Sequence, residues 1–94
     1  PSTFHLLQNY PNPFNGETAI KLSLANMMRS KEYTLHIADV LGRTVRMLRS
    51  SGDVNIQFRW DGKDQSGRAV SSGVYLASVV GAEKSGTIKM LYIR

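Results

Sequence analysis

Two carboxylates and two glycines make the segment WDGKDQSG, residues 60–67, the best candidate for a site with chemistry of its own. Asp61 and Asp64 offer hard oxygen ligands, and Gly62 and Gly67 allow sharp bends, a combination found in calcium-binding loops. An EF-hand loop beginning at Asp61 would need an acid or amide at its third position and glutamate at its twelfth, where this chain has lysine and serine. The same residues are typical of two consecutive turns in which aspartates accept hydrogen bonds from nearby backbone amides. We favour the turns, with calcium binding as the alternative.

Histidine, cysteine and serine chemistry have little support in this sequence. His5 and His36 are its two imidazoles, and neither belongs to a metal-binding spacing of the HExxH type. Cysteine is absent, so the chain has no thiolate ligand or nucleophile and no disulfide. No serine lies in a G-x-S-x-G motif, and no phosphate-binding or dinucleotide-binding glycine loop is present. We therefore expect a protein that is not an enzyme, without catalytic residues, metal or cofactor.

The composition is that of one folded domain. The 94 residues suffice for a single domain, residues 1–94, with one hydrophobic core. Hydrophobic residues make up 41% of the chain and charged residues 20%, which is ordinary for a globular protein. The longest uncharged run after the proline-rich start, residues 69–82, is too short and too polar to span a bilayer, so no transmembrane segment is expected.

The formal net charge of +5 favours an anionic partner. The densest basic group is Arg43, Arg46 and Arg49, while the other basic residues are scattered among acids. Surfaces that bind nucleic acid interleave such residues with stacking aromatics, which this chain lacks. Nucleic acid is therefore not an expected partner.

Alternating apolar and polar residues predict three amphipathic strands. Their apolar members are Ile20, Leu22 and Leu24, then Tyr33, Leu35 and Ile37, then Val54, Ile56, Phe58 and Trp60. Two further segments, residues 73–80 and 87–93, are apolar on both faces, which indicates strands that are central or covered on both sides, joined by a polar turn at 81–86. Residues 4–8 give a weaker signal for a short first strand, and residues 26–31 resemble a loop. The pattern predicts an antiparallel sandwich or barrel.

Residues 38–50 allow two interpretations. Leucine and valine recur there at helical spacing, which favours a helix. Gly42 favours a hairpin, because it can supply the positive φ of a tight turn at residues 40–43, with the return strand starting near Val45. The hairpin is the preferred interpretation.

The segment QNYPNPFN, residues 8–15, is the most unusual stretch of the chain. Pro11 and Pro13 fix their own φ and hold the residues before them in extended conformations. We expect a rigid strap that docks on the edge of the sandwich and closes one end of the fold, and we call residues 8–15 the strap. Its expected apolar anchors are Tyr10 and Phe14, and its asparagines, Asn9, Asn12 and Asn15, are expected to bond backbone groups that an irregular segment leaves unpaired.

Four segments together resemble a known family: LLQNYPNPFNGETAIKLSL, YTLHIADVLGRTVRML, WDGKDQSGRAVSSGVYLASV and GTIKMLYIR. They are similar to the C-terminal sorting domain of type A, which is carried by cargo of the bacterial type IX, or Por, secretion system. The later half of the chain also resembles the immunoglobulin-like domain of the flagellar hook-capping protein. The signature residues of the resemblance are Tyr10, Pro11, Asn12, Pro13, Phe14, Asn15, Gly42, Trp60, Asp61, Gly62, Asp64, Gly67, Gly73 and Tyr75.

The resemblance implies an all-β, immunoglobulin-like antiparallel sandwich of about seven strands, joined to an N-terminal cargo domain of a larger exported protein. Such a domain is a non-catalytic sorting signal that takes its cargo through the periplasm to the surface or exterior of a Gram-negative bacterium. Its implied partners are the outer-membrane type IX translocon and a sortase-like surface protease. Lys89 and Arg94 match the basic positions of the family's terminal strand, which contributes to translocon recognition.

Two other functional classes remain open from the sequence. The first is a cell-attachment or carbohydrate-binding module of a secreted enzyme, for which Tyr10, Phe14 and Tyr92 are the candidate exposed aromatics. The second is a structural subunit domain like that of the flagellar cap. It would account for WDGKDQSG but not for QNYPNPFN.

Overall fold

Two antiparallel sheets form a sandwich in the computed structural model, which describes residues 4–24, 31–52, 55–81 and 86–94. The strands are β1 (Phe4–Leu6), β2 (Thr18–Leu24), β3 (Lys31–Asp39), β4 (Thr44–Gly52), β5 (Asn55–Trp60), β6 (Gly73–Val79) and β7 (Thr87–Tyr92). One sheet has the strand order β1-β2-β5, and the other has the order β4-β3-β6-β7. The predicted all-β, immunoglobulin-like sandwich is therefore confirmed. Within these described ranges no helix is long and apolar enough to cross a membrane.

The inward faces of β2, β3 and β5 are those that the alternation predicts. The buried side chains are Ile20 and Leu22 on β2, Tyr33, Leu35 and Ile37 on β3, and Ile56, Phe58 and Trp60 on β5. Each large apolar side chain buried in this way stabilises the fold by about 1.5–3 kcal/mol relative to its exposed state. The side chains of Leu24 and Val54, the turn residues 82–85 and the loop residues 26–30 lie outside the described part of the chain.

The two strands that are apolar on both faces differ in their positions. β6 is central, between β3 and β7, as expected. β7 lies at the edge of its sheet and exposes every second side chain, so the expectation of a central or covered strand is wrong for β7. Its outward Leu91 lies directly opposite Val74 of β6, and side chains in such cross-strand pairs are close enough to interact.

The segment that allowed a helix or a hairpin is a hairpin. Gly42 has φ of 84° and donates its N–H to the Asp39 carbonyl at 3.0 Å, which closes the turn between β3 and β4. The Asp39 carboxylate accepts hydrogen bonds from the Leu41 and Arg43 amides at 2.9 and 3.0 Å. Hydrogen bonding at the turn therefore decides in favour of the hairpin and against the helix that the apolar spacing allowed. Leu41 is left exposed at the tip.

Candidate functional site

The first half of the strap continues the small sheet. The Leu7 amide donates to the Lys21 carbonyl at 2.9 Å, and Tyr10 exchanges two hydrogen bonds of 2.9 Å with Ala19 of β2. The strap thus leaves β1 along the side of β2. Both of its X-Pro peptide bonds, Tyr10-Pro11 and Asn12-Pro13, are cis.

The second half of the strap crosses to the large sheet and pairs with the free edge of β7. The Phe14 amide donates to the Leu91 carbonyl at 3.0 Å, and the Phe14 carbonyl accepts from the Ile93 amide at 2.8 Å. These two bonds place Phe14 in a parallel bridge with Tyr92. The strap therefore joins both sheets, as the sequence predicts for a segment that closes the sandwich.

Side chains of the strap bond those edge groups of β7 that the backbone of the strap does not reach. The Leu91 amide donates to Asn12 Oδ1 at 2.9 Å, and Gln8 Nε2 donates to the Lys89 carbonyl at 2.8 Å. The outward carbonyl of Lys89, both backbone groups of Leu91 and the amide of Ile93 are all bonded to the strap. An open strand edge is a template for pairing with another chain, and the strap occupies that template.

A small buried network fixes the bend of the strap. Asn9 is 3% exposed, and its Nδ2 donates to Thr18 Oγ1 at 2.9 Å and to the Pro11 carbonyl at 3.1 Å. Thr18 Oγ1 also donates to the Pro11 carbonyl at 2.8 Å. Asn9 and Asn12 thus bond backbone groups as predicted. Asn15 is exposed, and no hydrogen bond joins its side chain to the described part of the chain, so the expectation is wrong there.

Only one of the two expected aromatic anchors is buried. Phe14 is 3% exposed and lies 5.6 Å from Trp60 and 5.0 Å from Tyr92, measured between ring centroids. Tyr10 is 82% exposed, so its predicted anchoring role is wrong. The reason is pairing with β2: neighbouring residues of an extended segment face opposite sides, and the strap turns Asn9 inward and Tyr10 outward.

The segment WDGKDQSG forms turns, as the favoured interpretation predicts. Asp61 Oδ1 accepts from the Lys63 amide at 3.1 Å, and Asp64 Oδ1 accepts from the Ser66 and Arg68 amides at 2.9 and 3.0 Å. The Ser66 hydroxyl, followed by the Arg68 and Ser66 amides, lowers the pKa of Asp64 below its ordinary value of 3.8. Among the described residues, no group of three or more histidine or acidic side chains has the arrangement of a metal site.

This loop also covers the second edge of the large sheet, which the sequence did not indicate. The Gln65 amide donates to the Val45 carbonyl at 2.9 Å, and Gln65 Oε1 accepts from the Met47 amide at 2.9 Å. Arg46 reaches from β4 to the Lys63 carbonyl at 3.0 Å. Gln65 therefore bonds β4 as a neighbouring strand would. A glutamine at this position does not by itself predict this role in the sequence, because the role depends on the loop folding back onto β4.

Signature residues from distant parts of the chain meet around Trp60. Trp60 Nε1 donates to the Lys63 carbonyl at 2.9 Å, and its ring lies 5.3 Å from Tyr75 and 6.3 Å from Tyr92. Gly62 has φ of 74°, and a Cβ added to it would lie 2.8 Å from the Tyr92 ring. The strap, the loop and β7 thus share one aromatic cluster.

The remaining predicted residues lie around this cluster or on the surface. Gly67 has φ of 91°, Gly73 begins β6, and the Tyr75 hydroxyl donates to the Ser71 carbonyl at 2.6 Å. Lys89 and Arg94 are both exposed. Neither side chain forms an ion pair within the described ranges. Lys89 is therefore an available cation on the outer face of β7.

The basic group at the β3–β4 turn and along β4 is largely paired. Arg43 lies 2.8 Å from Asp39, Arg46 lies 3.1 Å from Asp61, and the longest separation, 3.9 Å, joins Arg49 to Glu32. Exposed pairs of this kind contribute little stability, about 0–1 kcal/mol each. They neutralise the cluster that the sequence presents as its densest positive charge.

Residues 8–85 match the family model described as the FlgD Ig-like domain, which is most of the chain. The chain belongs to the FlgD Ig-like domain family. The match starts at Gln8, so it includes the strap as well as the later half that the sequence indicated. No curated protein sequence matches the chain.

Two solved structures from Porphyromonas gingivalis share the fold of this FlgD Ig-like domain. Dimeric latent PorU superposes with a TM-score of 0.76 at 20% identity, over 99% of this chain and 9% of that one. PorZ, an essential bacterial surface component of the type-IX secretion system, superposes with a TM-score of 0.57 at 23% identity, over 95% of this chain and 11% of that one. The chain therefore spans about a tenth of each, and identities this low establish similarity of fold alone.

The two strap aromatics should contribute very differently to stability. Phe14→Ala removes a buried ring and is expected to lower the free energy of unfolding by about 3–5 kcal/mol. Tyr10→Ala removes an exposed ring and should change it by less than about 0.5 kcal/mol. Urea denaturation of both variants measures the difference, and equal losses would contradict the placement of Phe14 in the core.

The two turn glycines separate backbone strain from steric overlap. Gly62→Ala and Gly67→Ala both place a Cβ at positive φ, which costs about 1–2 kcal/mol. Gly62→Ala should lose more, because its Cβ meets the buried Tyr92 ring, whereas nothing lies within 4 Å at Gly67. Thermal unfolding of both variants checks this, and the same loss in each would show that Tyr92 moves aside freely.

Stability should fall in acid, partly through Asp64. Its pKa is lowered on folding, so its contribution is present above the ordinary value of 3.8 and is lost as the pH falls through the lower, folded value. Asp64→Asn keeps an oxygen acceptor but cannot titrate. Unfolding free energies measured from pH 5 downward should decline less steeply for the variant, and an identical decline would show that Asp64 contributes nothing to acid sensitivity.

Proposed function

We propose that this domain is a non-catalytic sorting domain that directs an attached cargo protein through the outer-membrane type IX translocon. The cargo would pass through the periplasm to the surface or exterior of a Gram-negative bacterium, where a sortase-like protease would process it. The proposal depends on one observation: the strap, which is the most family-specific segment, is hydrogen-bonded along the terminal strand β7. Two segments at opposite ends of the sequence therefore present one surface.

The geometry favours recognition through side chains rather than backbone pairing. Because the strap occupies the edge of β7, a partner cannot add a strand there without displacing Phe14 from the core. The outer face of β7 instead offers the exposed Lys89, which lies opposite the half-buried Leu76 of β6 and two residues before the exposed Leu91. Ile93 is 48% exposed and, with Pro11 and Pro13 of the strap, lines a cleft of about 350 Å³. A partner that reads this surface would contact both signature segments at once.

The shared fold of the two Porphyromonas proteins supports the proposed link of this domain to type IX secretion. PorZ is described as a component of type IX secretion, and part of it has the architecture of this domain. This similarity supports the occurrence of such domains in that system and does not assign a role to any residue here.

The positions of the histidines support a domain without catalysis. His36 shares a hydrogen bond of 2.8 Å with Thr44 Oγ1 on the outer face of the large sheet, and His5 is exposed on β1 of the other sheet. A groove of about 510 Å³ beside the β3–β4 turn is lined by Asp39, Asp64 and Tyr75 among other residues, with no histidine among them. Both histidines therefore lie away from this groove, whose two carboxylates, Asp39 and Asp64, already accept hydrogen bonds from backbone amides of their own turns.

The carbohydrate-binding alternative loses most of its candidate residues. Of the three aromatics considered for a sugar platform, Phe14 and Tyr92 are buried and Tyr10 alone is exposed. Sugar binding by a row of stacked aromatics is therefore not supported by this surface.

Export of a fused reporter tests the proposed function. Residues 1–94 joined to an unrelated periplasmic reporter should carry it to the cell surface or medium of a bacterium with a type IX system. Lys89→Ala and Arg94→Ala should reduce export, because they remove the exposed cations of β7 and of the residues that follow it. Lys21→Ala is the matched control, since Lys21 is an exposed cation on the other sheet, beside the first half of the strap and not on β7.

Retention of the wild-type fusion in the periplasm would refute the sorting function. Equal losses from all three lysine and arginine variants would show that net charge matters rather than the surface of β7. Circular dichroism of each purified variant establishes that the domain remains folded. Deleting residues 89–94 is a poorer test, because it removes most of β7 and with it the support of the strap.

A further inference from the structure

The strap contains three asparagines in different chemical environments. Asn9 is buried and hydrogen-bonded, and the amide that follows it, that of Tyr10, donates to the Ala19 carbonyl. Asn12 is followed by Pro13, which has no backbone N–H. Intramolecular attack of the next backbone nitrogen on the side-chain amide is therefore restrained at Asn9 and blocked at Asn12.

Asn15 has neither the hydrogen bonds that restrain Asn9 nor the following proline that blocks Asn12. It is exposed and is followed by Gly16. Within the described residues no hydrogen bond holds the Asn15 side chain or the Gly16 amide. A Cβ added to Gly16 would meet nothing within 4 Å, so the space beside the Gly16 Cα is open. Glycine also leaves the backbone free to adopt the required geometry.

We propose that Asn15 is a site of spontaneous deamidation in the folded domain. The Gly16 backbone nitrogen forms a bond to Cγ of Asn15 and loses its proton, while the bond from Cγ to the side-chain nitrogen breaks and ammonia leaves. Water then opens the resulting succinimide at either carbonyl and gives aspartate or isoaspartate. The net reaction consumes one water and releases one ammonia, without an enzyme or oxidant.

The position of Asn15 gives the modification a structural consequence. Residues 15–17 connect Phe14, which is bonded to β7, with Thr18, the first residue of β2. Either product adds a carboxylate and lowers the formal net charge of +5 by one. Isoaspartate also lengthens the backbone by one methylene group between two anchored residues. We therefore expect isoaspartate to loosen the strap from β7, whereas aspartate should leave it in place.

Mass spectrometry of the aged, folded chain tests the proposal. Incubation at neutral pH and physiological temperature should raise the mass of a growing fraction by about one dalton. Peptide mapping, with an isoaspartyl methyltransferase to report isoaspartate, should place the change at residue 15 rather than at Asn9 or Asn12. Asn15→Asp provides the aspartate product for comparison of melting temperatures.

Gly16→Ala is the matched control, because Gly16 has no positive φ and the added Cβ has open space. The variant should fold normally and lose conversion at residue 15 severalfold. The proposal is overturned by an unchanged mass, by conversion mapped to other asparagines, or by equal conversion in Gly16→Ala. It is also overturned if the chain reacts at Asn15 in urea but not when folded, since the fold would then restrain the site.

Discussion

The unpaired backbone groups at the two edges of the four-stranded sheet are the constraint on which the rest of the structure depends. Edge strands are open to pairing with other chains unless something covers them. Here β7 is covered by the strap and β4 by Gln65 of the loop that follows Trp60. At β7 two backbone bonds of Phe14 are supplemented by the amide side chains of Asn12 and Gln8, and at β4 one backbone bond of Gln65 is supplemented by its own side chain. The two signature segments of the sequence are thus explained by one structural need.

Covering the edges also determines how the core is built. The strap bonds β7 at Phe14 and thereby places this ring against Trp60 and Tyr92. The loop approaches from the other side, where only glycine at position 62 leaves room for the Tyr92 ring. Aromatic rings in such tilted contacts contribute about 0.5–1.5 kcal/mol beyond the area that they bury. Edge protection and core packing are therefore properties of the same residues.

Local signals in the sequence were sufficient for most of the fold. Alternation identified the inward faces of β2, β3 and β5, and Gly42 identified the hairpin, because both depend on neighbouring residues only. Tyr10 was misplaced, because its orientation depends on pairing with β2 and not on the prolines beside it. The edge position of β7 and the role of Gln65 were also missed. Both arise from contacts between segments far apart in the chain, which leave no periodic pattern.

The parallel bridge between Phe14 and Tyr92 has a mechanical consequence. A force that pulls Phe14 toward the start of the chain and Tyr92 toward its end acts along the direction of both paired segments. The hydrogen bonds between them, and the burial of Phe14, then resist in shear and must yield together, whereas an antiparallel hairpin would open one bond at a time. The pairing of the strap with β7 therefore resists traction that pulls these two segments apart along their length.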